Sequence, residues 1–289
     1  EWNNKELVDY IYKDEDSVAK QWIDWGADGW RLDVANEVDT VFWNDFREVM
    51  KEHNSETLIL GEIWDDASKY FVGDQYDSVM NYRIRAALID YLKNGNATRL
   101  NDTLMAVYED YPEEAFYALM NLMGSHDVAR AIYVLGGGSD SSERAELGNY
   151  DENLGKQRLK LAALFEFGYA GAPTIYYGDE AGVTGSKDPD CRRTYPWGNE
   201  DDSLVSFYEA IGAVRENNKE LFSYGDLTTL YTGTEGVYVY GRSYEDKHAI
   251  VAINPTQSDA KITLDLKEFT GNGTNFIDGL DSDYKISVK

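Results

Sequence analysis

Apolar and polar positions up to about residue 221 follow two alternating patterns. Short apolar runs typical of buried strands are separated by segments whose apolar residues recur every three or four positions, as in amphipathic helices. The runs are DGWRLDV, TLILGEIW, DSVMNY, FYALMNLMGS and APTIYYGDE, and the segments are TVFWNDFREVMKEHN, RIRAALIDYLKNG and GKQRLKLAALFEFGYAG. Strands separated by helices favour parallel pairing in βαβ units, so the pattern predicts an α/β fold with five such strands.

The pattern changes after about residue 222. The runs DLTTLYTG, GVYVYGRSY, HAIVAINP and AKITLDL are β-branched or aromatic and follow one another at hairpin spacing. They predict a small antiparallel β-domain, and therefore two domains, 1–221 and 222–289. The polar, Gly-rich stretch 135–155 predicts a surface loop.

Composition narrows the classes of function. The 289 residues include 53 acidic and 27 basic side chains, a formal net charge of -26. This charge argues against binding to nucleic acid or to an anionic membrane, and it favours a neutral substrate. The single cysteine, Cys191, excludes an internal disulfide, and no apolar run approaches the length of a membrane span. The chain opens on Glu1 without a signal peptide, so we expect a processed chain or a piece of a longer one.

Charged residues stand inside the first predicted strand and at the ends of others. Arg31 and Asp33 are two positions apart in an apolar run, so their side chains share one face of the strand. Such a pair is costly to place there unless it has a function. Working residues of parallel α/β folds collect at the carboxyl ends of strands, where we expect three acids to converge. The pairs that end the other four runs are Glu62 and Trp64, Asn81 and Tyr82, His126 and Asp127, and Asp179 and Glu180.

Each of these residues also has a simpler interpretation. A lone Asp after a strand is usually a loop residue or a helix cap, which is the better reading of Asp127 or Asp179 taken alone. A lone histidine is more often structural than catalytic. The pair His126-Asp127 is also seen in dinuclear metal hydrolases, but the chain has only three histidines, so no metal site is predicted.

The residue types suggest a reaction. Asp33 beside Arg31 is expected to stay ionised, which suits a nucleophile. Glu62, near other carboxylates and flanked by Ile63 and Trp64, is expected to be protonated, which suits a general acid. One ionised and one protonated carboxyl group across a scissile bond is the arrangement of glycosidases. The seven Trp and 22 Tyr fit this, because flat rings stack on sugars, although about two-thirds are expected in the core.

Several motifs together resemble the α-amylase family of retaining glycoside hydrolases. GWRLDVANEV is similar to the second signature block of the family, GEIW to the third and NLMGSHD to the fourth. VANE, EIW and DPDCRR most resemble the neopullulanase, cyclomaltodextrinase and maltogenic amylase branch. The resemblance implies a (β/α)8 TIM barrel of which this chain holds about strands four to eight, followed by a small antiparallel β-sandwich domain. The first signature block and the domain inserted after strand three are absent from this sequence, so we expect the C-terminal part of a longer enzyme.

The resemblance also implies roles for single residues. Asp33 matches the nucleophile, Glu62 the acid/base and Asp127 the third carboxylate, which grips sugar hydroxyls. Arg31 matches the arginine that holds the nucleophile, and His126 a ligand of the sugar at the cleaved bond. The other substrate-binding candidates are Asn36, Glu37 and Trp64 on the leaving-group side, Asp188 and Arg192 one sugar further on the other side, and Asn81 and Tyr82 at the third strand end.

The expected activity is hydrolysis of α-1,4 and also α-1,6 glucosidic bonds in starch, pullulan or cyclodextrins, weak or lost in this fragment alone. A transglycosylase of the same family and a non-catalytic glucan-binding fragment are the two alternatives. No cofactor is required, and Ca²⁺ in the complete enzyme is left open. The expected partners are an α-glucan and either the missing N-terminal half of the barrel or a second copy, with no nucleic acid and no membrane. Secretion or display by a bacterium is expected, with a cytoplasmic location as the alternative.

Overall fold

The computed structural model describes residues 3–139, 142–146, 148–271 and 275–287. The chain divides into two compact units: residues 1–83 with 106–120, and residues 84–105 with 121–289. Each unit draws on separate stretches of chain, so this division is of a different kind from the predicted domain boundary at residue 222, which stays a prediction.

The helices and strands follow the predicted order. The α-helices found in the described ranges are α1 (Lys5–Val8), α2 (Val18–Asp24), α3 (Thr40–His53), α4 (Tyr82–Asn94), α5 (Ala97–Asp110), α6 (Glu113–Tyr117), α7 (Ala131–Leu135), α8 (Glu152–Gly168), α9 (Asp202–Asn217), α10 (Lys219–Tyr224) and α11 (Lys267–Thr270). The strands are β1 (Gly29–Leu32), β2 (Leu58–Gly61), β3 (Ser78–Val79), β4 (Met120–Leu122), β5 (Ala172–Thr174), β6 (Asp226–Tyr231), β7 (Tyr238–Tyr244), β8 (Lys247–Ile253), β9 (Asn275–Ile277) and β10 (Lys285–Ser287). The five apolar runs therefore form β1 to β5, and the three helical segments form α3, α4 and α8.

Parallel pairing organises the first unit. β1 pairs with β2 and β2 with β3, all parallel, and a parallel bridge joins Met80 to Met120. The register places Leu32 opposite Gly61, the last residues of β1 and β2. The residue that follows each strand is an acid, so this register brings the two acids to the same end of the sheet.

Helix α3 is capped at its first turn and packs through a buried stripe. Asp39 caps its first turn by accepting a hydrogen bond of 2.9 Å from the Val41 N–H. Trp43, Phe46 and Met50 form its buried stripe. Burial of each such side chain contributes roughly 1.5 to 3 kcal/mol, so this stripe fixes the helix against its neighbours, which include Tyr12 and Tyr76.

The first unit also carries exposed aromatic side chains on the segments before β1. Tyr10, Trp22 and Trp25 are 67%, 51% and 70% exposed, and the two indole rings contact each other edge to face. In the sheet β1-β2-β3, β1 is an edge strand. Among its described residues, the first unit therefore presents exposed aromatic surface and has β1 at the edge of its sheet.

Helix α8 lies at the centre of the second unit. Its Ala163 packs with Tyr208 and Ile211 of α9, with Phe167 beside them. The strands β6, β7 and β8 form an antiparallel sheet, and β9 and β10 form a separate hairpin. Arg242 of β7 has no exposed surface and donates hydrogen bonds to carbonyl groups at the end of α8 and before β6. This cation ties the antiparallel sheet to the helices of the same unit.

Two of the predictions need correction. The run AKITLDL, residues 260–266, is not a strand. Its Leu264 and Leu266 instead line an apolar cavity of about 550 Å³ beside β8, so they are removed from water without forming the hydrogen bonds of a sheet. The stretch 135–155 is irregular over most of its described part, but Leu135 still belongs to α7 and the last four residues begin α8. Residues 140, 141 and 147 of that stretch lie outside the described residues. In the part of the chain that the structure describes, no helix is both long and apolar enough to span a bilayer.

Glu166 is a buried acid of α8, only 6% exposed, whose Oε1 accepts a hydrogen bond of 2.9 Å from the Thr174 N–H of β5. Burial raises the pKa of Glu166 from 4.5 to about 8, against the opposing effect of that hydrogen bond. The folded state therefore binds this proton more tightly than the unfolded state. The resulting stability is fully present below about pH 4.5 and is lost as the pH rises through about 8.

We therefore expect the unfolding free energy to fall by a few kcal/mol between pH 5 and pH 8.5, since a tenfold change in proton affinity corresponds to about 1.4 kcal/mol. Glu166→Gln keeps an acceptor for the Thr174 N–H but cannot ionise, so it should remove this part of the pH dependence. Urea unfolding at both pH values checks it, with Glu216→Gln on the exposed face of α9 as the control. An unchanged pH dependence in Glu166→Gln would show that Glu166 is not the responsible group.

Candidate active site

The guanidinium of Arg31 holds two carboxylates at the end of the first sheet. Its Nη1 lies 2.6 Å from Oδ1 of Asp33, and its Nη2 lies 2.9 Å from Oε1 of Glu62. The second contact is an ion pair whose angle lies outside hydrogen-bond geometry. The predicted pairing of Arg31 with Asp33 is thus present. No feature of the sequence indicated that Glu62 shares the same cation.

The two carboxyl groups differ in exposure. The Asp33 side chain is 73% exposed, whereas that of Glu62 is 5% exposed. An exposed carboxylate held by a cation is accessible to a substrate and keeps a fixed direction. The Glu62 carboxyl group is enclosed, so the protein groups around it determine its orientation and environment.

Val34, which directly follows Asp33, has a rare backbone conformation. Its φ of 44° and ψ of 45° are left-handed, which is unusual for a β-branched residue. The Val34 N–H donates 2.9 Å to Oε2 of Glu62. The next carbonyl, that of Ala35, accepts hydrogen bonds from Trp43 and Tyr76 at 2.8 and 3.2 Å. Backbone strain of this kind persists where the surroundings fix it, and it is frequent at functional sites.

The surroundings of Glu62 differ from the expected ones. Apolar flanks and other carboxylates were expected, but the polar contacts found for it among the described residues are with a cation and two N–H donors: Arg31, the Val34 N–H and the Trp64 indole, whose Nε1 lies 3.3 Å from Oε1. Both oxygens of Glu62 therefore have a partner in this structure. The reason is the register of β1 and β2, which places the β1 turn directly beside the Glu62 side chain.

Trp64 and Tyr82 form a stacked pair. Their ring centroids are 4.1 Å apart and their planes differ by 8°. Tyr82 is buried, whereas Trp64 is 46% exposed, so one face of the indole is supported and the remainder is open to solvent. A flat ring supported in this way is suited to stack on a sugar.

Other candidates of the first unit are placed differently. Asn36 and Glu37 are exposed on the short 3-10 turn Ala35–Glu37, which directly follows the strained Val34. Asn81 is 3% exposed, and its N–H donates to the Met120 carbonyl, so its main chain belongs to the sheet end. The structure thus brings Asn36 and Glu37 to the surface and leaves Asn81 inside.

The second unit holds the remaining candidates together. Asp127 contacts the His126 Nε2 at 3.1 Å and the Arg192 Nη2 at 3.6 Å. Arg192 Nε lies 2.7 Å from Oδ1 of Asp188 and donates a hydrogen bond of 3.0 Å to the His126 carbonyl. All four side chains are partly exposed, between 31% and 47%. The predicted pair of Asp188 and Arg192 is therefore present beside Asp127. The convergence of Asp127 with Asp33 and Glu62 stays a prediction.

Arg130 is a residue of this second cluster that sequence reasoning missed. It has no exposed surface, and its Nη1 lies 3.0 Å from Oδ1 of Asp179. Burial raises the pKa of Asp179 to about 6, against the opposing effect of Arg130. A Cβ at Gly124 would lie 2.4 Å from Oδ2 of Asp179, so a larger residue at this position would displace the Asp179 side chain. Asp179 is therefore a buried ion-pair partner of Arg130. An arginine three positions after Asp127 carries no sequence signal of burial.

The residues with described positions contain no group of three or more His, Cys, Asp or Glu side chains that could hold a metal ion. Whether Ca²⁺ binds elsewhere in a longer enzyme stays open, as in the sequence analysis.

Comparison with known families matches nearly the whole chain. Residues 1–226 match the model described as alpha amylase, catalytic domain, and residues 225–277 match the alpha-amylase C-terminal domain.

Individual proteins give the same result. The chain is 41% identical over 316 residues to an amylopullulanase of Thermoanaerobacterium thermosulfurigenes, covering 100% of this chain and 17% of that protein. It is 36% identical to neopullulanase 2 of Thermoactinomyces vulgaris, covering 93% of this chain and 43% of that protein. Among solved structures, the debranching enzyme of Nostoc punctiforme superposes with a TM-score of 0.80 at 28% identity, covering 96% of this chain and 57% of that chain. The chain thus spans well under two-thirds of the length of these relatives.

Proposed function

The chain belongs to the α-amylase family, and from this premise we propose that it carries the nucleophile and the acid/base of a retaining α-glucan hydrolase. Its fold is that of the α-amylase catalytic domain, a TIM barrel, joined to a C-terminal domain. The observation that best supports the proposal is the Arg31 guanidinium shared between Asp33 and Glu62. This single cation holds two carboxyl groups of unequal exposure close to each other.

The proposed first step uses both acids. Asp33 attacks the anomeric carbon and forms a covalent glycosyl ester, while Glu62 gives a proton to the departing glycosidic oxygen. Before it can do so, Glu62 must carry that proton on the oxygen that faces the leaving group. Trp64 lies beside Glu62 and offers its open face to the leaving sugar.

The second step reverses the roles. Glu62, now without its proton, takes one from a water molecule that attacks the ester and releases the sugar with its original α configuration. The Arg31 guanidinium, 2.6 Å from Asp33, pairs with the carboxylate that leaves in this step. In the second unit, Asp127 and His126 are proposed to hold the hydroxyl groups of the reacting sugar, and Asp188 with Arg192 the next sugar.

The substrate class rests on the relatives. Their names, amylopullulanase and neopullulanase, point to starch and pullulan as substrates to test, and hence to α-1,4 and α-1,6 bonds. A polymeric substrate fits an enzyme that is secreted or held at the bacterial surface. Transfer to a sugar instead of water differs only in the second step, and product analysis at high sugar concentration distinguishes the two.

We also propose that the chain supplies about strands four to eight of the barrel and that its β-domain is of the sandwich type. The support is that it covers 57% of the Nostoc enzyme, that β1 is an edge strand of its sheet, and that Tyr10, Trp22 and Trp25 are exposed. The N-terminal part of such a barrel would pair with the β1 edge and cover these rings. Activity of the chain alone is then expected to be weak or absent, which starch and pullulan assays with and without that part would measure.

The stereochemistry of the first product tests the proposed mechanism. We expect the complete enzyme to release the α-anomer, detected by proton NMR before mutarotation. In a crystal structure with a bound inhibitor, we expect the carboxyl groups of Asp33 and Glu62 to lie roughly 5 to 5.5 Å apart, the spacing for direct attack. A β-anomer, or a separation beyond about 8 Å in the liganded site, would indicate inversion and contradict the proposal.

A further inference from the structure

Arg130 has no part in the proposed reaction, yet its surroundings are unusually specific. Its Nε donates 2.7 Å to the Cys191 carbonyl and its Nη1 donates 2.5 Å to the Tyr177 carbonyl. Nη1 also pairs with Asp179, and the guanidinium lies 4.0 Å over the ring of Tyr176. The whole side chain is without exposed surface.

These contacts join three stretches that are distant along the chain. Arg130 itself follows β4, Tyr177 follows β5, and Cys191 lies in the short 3-10 turn Asp190–Arg192, in the later segment between β5 and α9. The main-chain N–H of Arg130 also donates 3.0 Å to the Gly185 carbonyl in that segment. A buried cation costs desolvation that an apolar side chain would avoid, so stability alone does not explain an arginine here. Its planar fork of donors does explain it, because that fork can hold several carbonyl groups in fixed directions.

The Cys191 carbonyl held by Arg130 is directly followed by Arg192, one of the proposed sugar-binding residues. The carbonyl of Cys191 is part of the peptide bond that leads into Arg192. The Cys191 Sγ and the Arg192 Nε both lie close to the His126 carbonyl, at 3.1 and 3.0 Å. The Arg192 Nη2 then lies 3.6 Å from Asp127. Moving the Cys191 carbonyl would therefore move the start of Arg192 and its contacts.

We propose that Arg130 is a positioning residue, whose guanidinium fixes the Cys191 carbonyl and thereby holds Arg192 and Asp188 where they bind the second sugar of an α-glucan. The inference rests on the proposed function and deepens it. A lysine at this place keeps the charge but donates from one nitrogen atom instead of a rigid planar fork, so it cannot hold the Cys191 and Tyr177 carbonyls and Asp179 together in these directions.

Substrates of different length test this role in the complete enzyme. 4-Nitrophenyl α-maltoside occupies the second-sugar position, whereas 4-nitrophenyl α-glucoside does not. We expect Arg130→Lys to lower kcat/KM for the maltoside by ~100-fold, mostly through KM, because small misplacements of binding groups have effects of this size. The glucoside should lose less than about fivefold, since it makes no contact at the second position.

A double-mutant cycle separates positioning from general destabilisation. In an Arg192→Leu background, Arg130→Lys should reduce maltoside hydrolysis by less than about threefold more, because the group it positions is already gone. Arg242→Lys, at another fully buried arginine of the same unit, is the matched control and should be additive with Arg192→Leu. Asp179→Asn, which keeps the shape but removes the charge beside Arg130, is the second variant if Arg130→Lys does not fold. It should show the same preference for lowering maltoside hydrolysis.

Equal losses on both substrates, or additivity of Arg130→Lys with Arg192→Leu, would overturn the positioning role. A wild-type enzyme that hydrolysed neither aryl glycoside would overturn the proposed function and this inference with it. Wild-type hydrolysis combined with uniform losses in the variants would overturn this inference alone.

Discussion

Asp33→Asn is expected to lower kcat of the complete enzyme on starch by roughly 10⁴- to 10⁶-fold, because an amide cannot form the glycosyl ester. The substitution is nearly isosteric and the side chain is 73% exposed, so the fold should be little affected. Arg31 keeps its contact with Glu62 in this variant. The thermal unfolding midpoint should therefore stay within a few degrees of the wild type, which separates loss of chemistry from loss of structure.

Trapping of the intermediate gives the direct measurement. A 5-fluoro-α-glucosyl fluoride loses fluoride and forms the ester quickly, and that ester hydrolyses slowly. Mass spectrometry of the intact wild-type enzyme should therefore show one added 5-fluoroglucosyl unit, located on Asp33 after proteolysis. Asp33→Asn should show none. Asp74→Asn, an exposed aspartate of the same unit that contacts Asn44, is the control and should label normally. Full labelling of the Asp33→Asn variant, or a label on another carboxylate, would show that Asp33 is not the nucleophile.

The positions of both proposed catalytic acids could be predicted because they depend on local patterns. The apolar runs around Leu32 and Leu60 have the length and residue types of strands, and acids placed directly after such runs must lie at strand ends. The alternation of side chains also correctly placed Arg31 beside Asp33. Both conclusions use neighbours within a few positions along the chain.

The surroundings of Glu62 could not be predicted in this way. The ion pair between Arg31 and Glu62 depends on the register that sets Leu32 opposite Gly61, and one sequence does not state a register between strands. The left-handed Val34 is equally unexpected, since a β-branched residue disfavours that conformation. It is held there by contacts from distant residues.

The C-terminal part shows the opposite error, where a pattern predicted an element that is absent. Leu264 and Leu266 alternate with polar residues as strand residues do, but alternation shows only that one face leaves water. The burial of Arg130 is a charged feature that the local sequence pattern also failed to predict. Its burial is possible only because three loops bring carbonyl groups and Asp179 together, and nothing in the local sequence indicates this.

Glu62→Gln is expected to separate substrates by their leaving groups. Starch requires protonation of the glycosidic oxygen, so kcat should fall by roughly 10³- to 10⁴-fold. A 2,4-dinitrophenyl α-maltoside needs little protonation to depart, so its first step should slow by less than about tenfold. The variant should then accumulate the glycosyl ester on Asp33, because it also lacks the base that activates water in the second step. A burst of dinitrophenolate followed by slow turnover is the expected observation.

The structure supplies a reason to expect this separation rather than a general loss of activity. A glutamine at position 62 can still accept a hydrogen bond from the Val34 N–H, so the turn that carries Asp33 should remain in place. Arg31 loses one of its two carboxylates and is left with Asp33 alone. The nucleophile should therefore stay oriented, and azide, which needs no base, should restore turnover of the activated substrate. Glu52→Gln on the exposed surface of α3 is the control and should behave as the wild type on both substrates. Equal slowing of starch and the activated maltoside, without rescue by azide, would mean that Glu62 holds Arg31 and the Val34 turn in place but does not donate the proton.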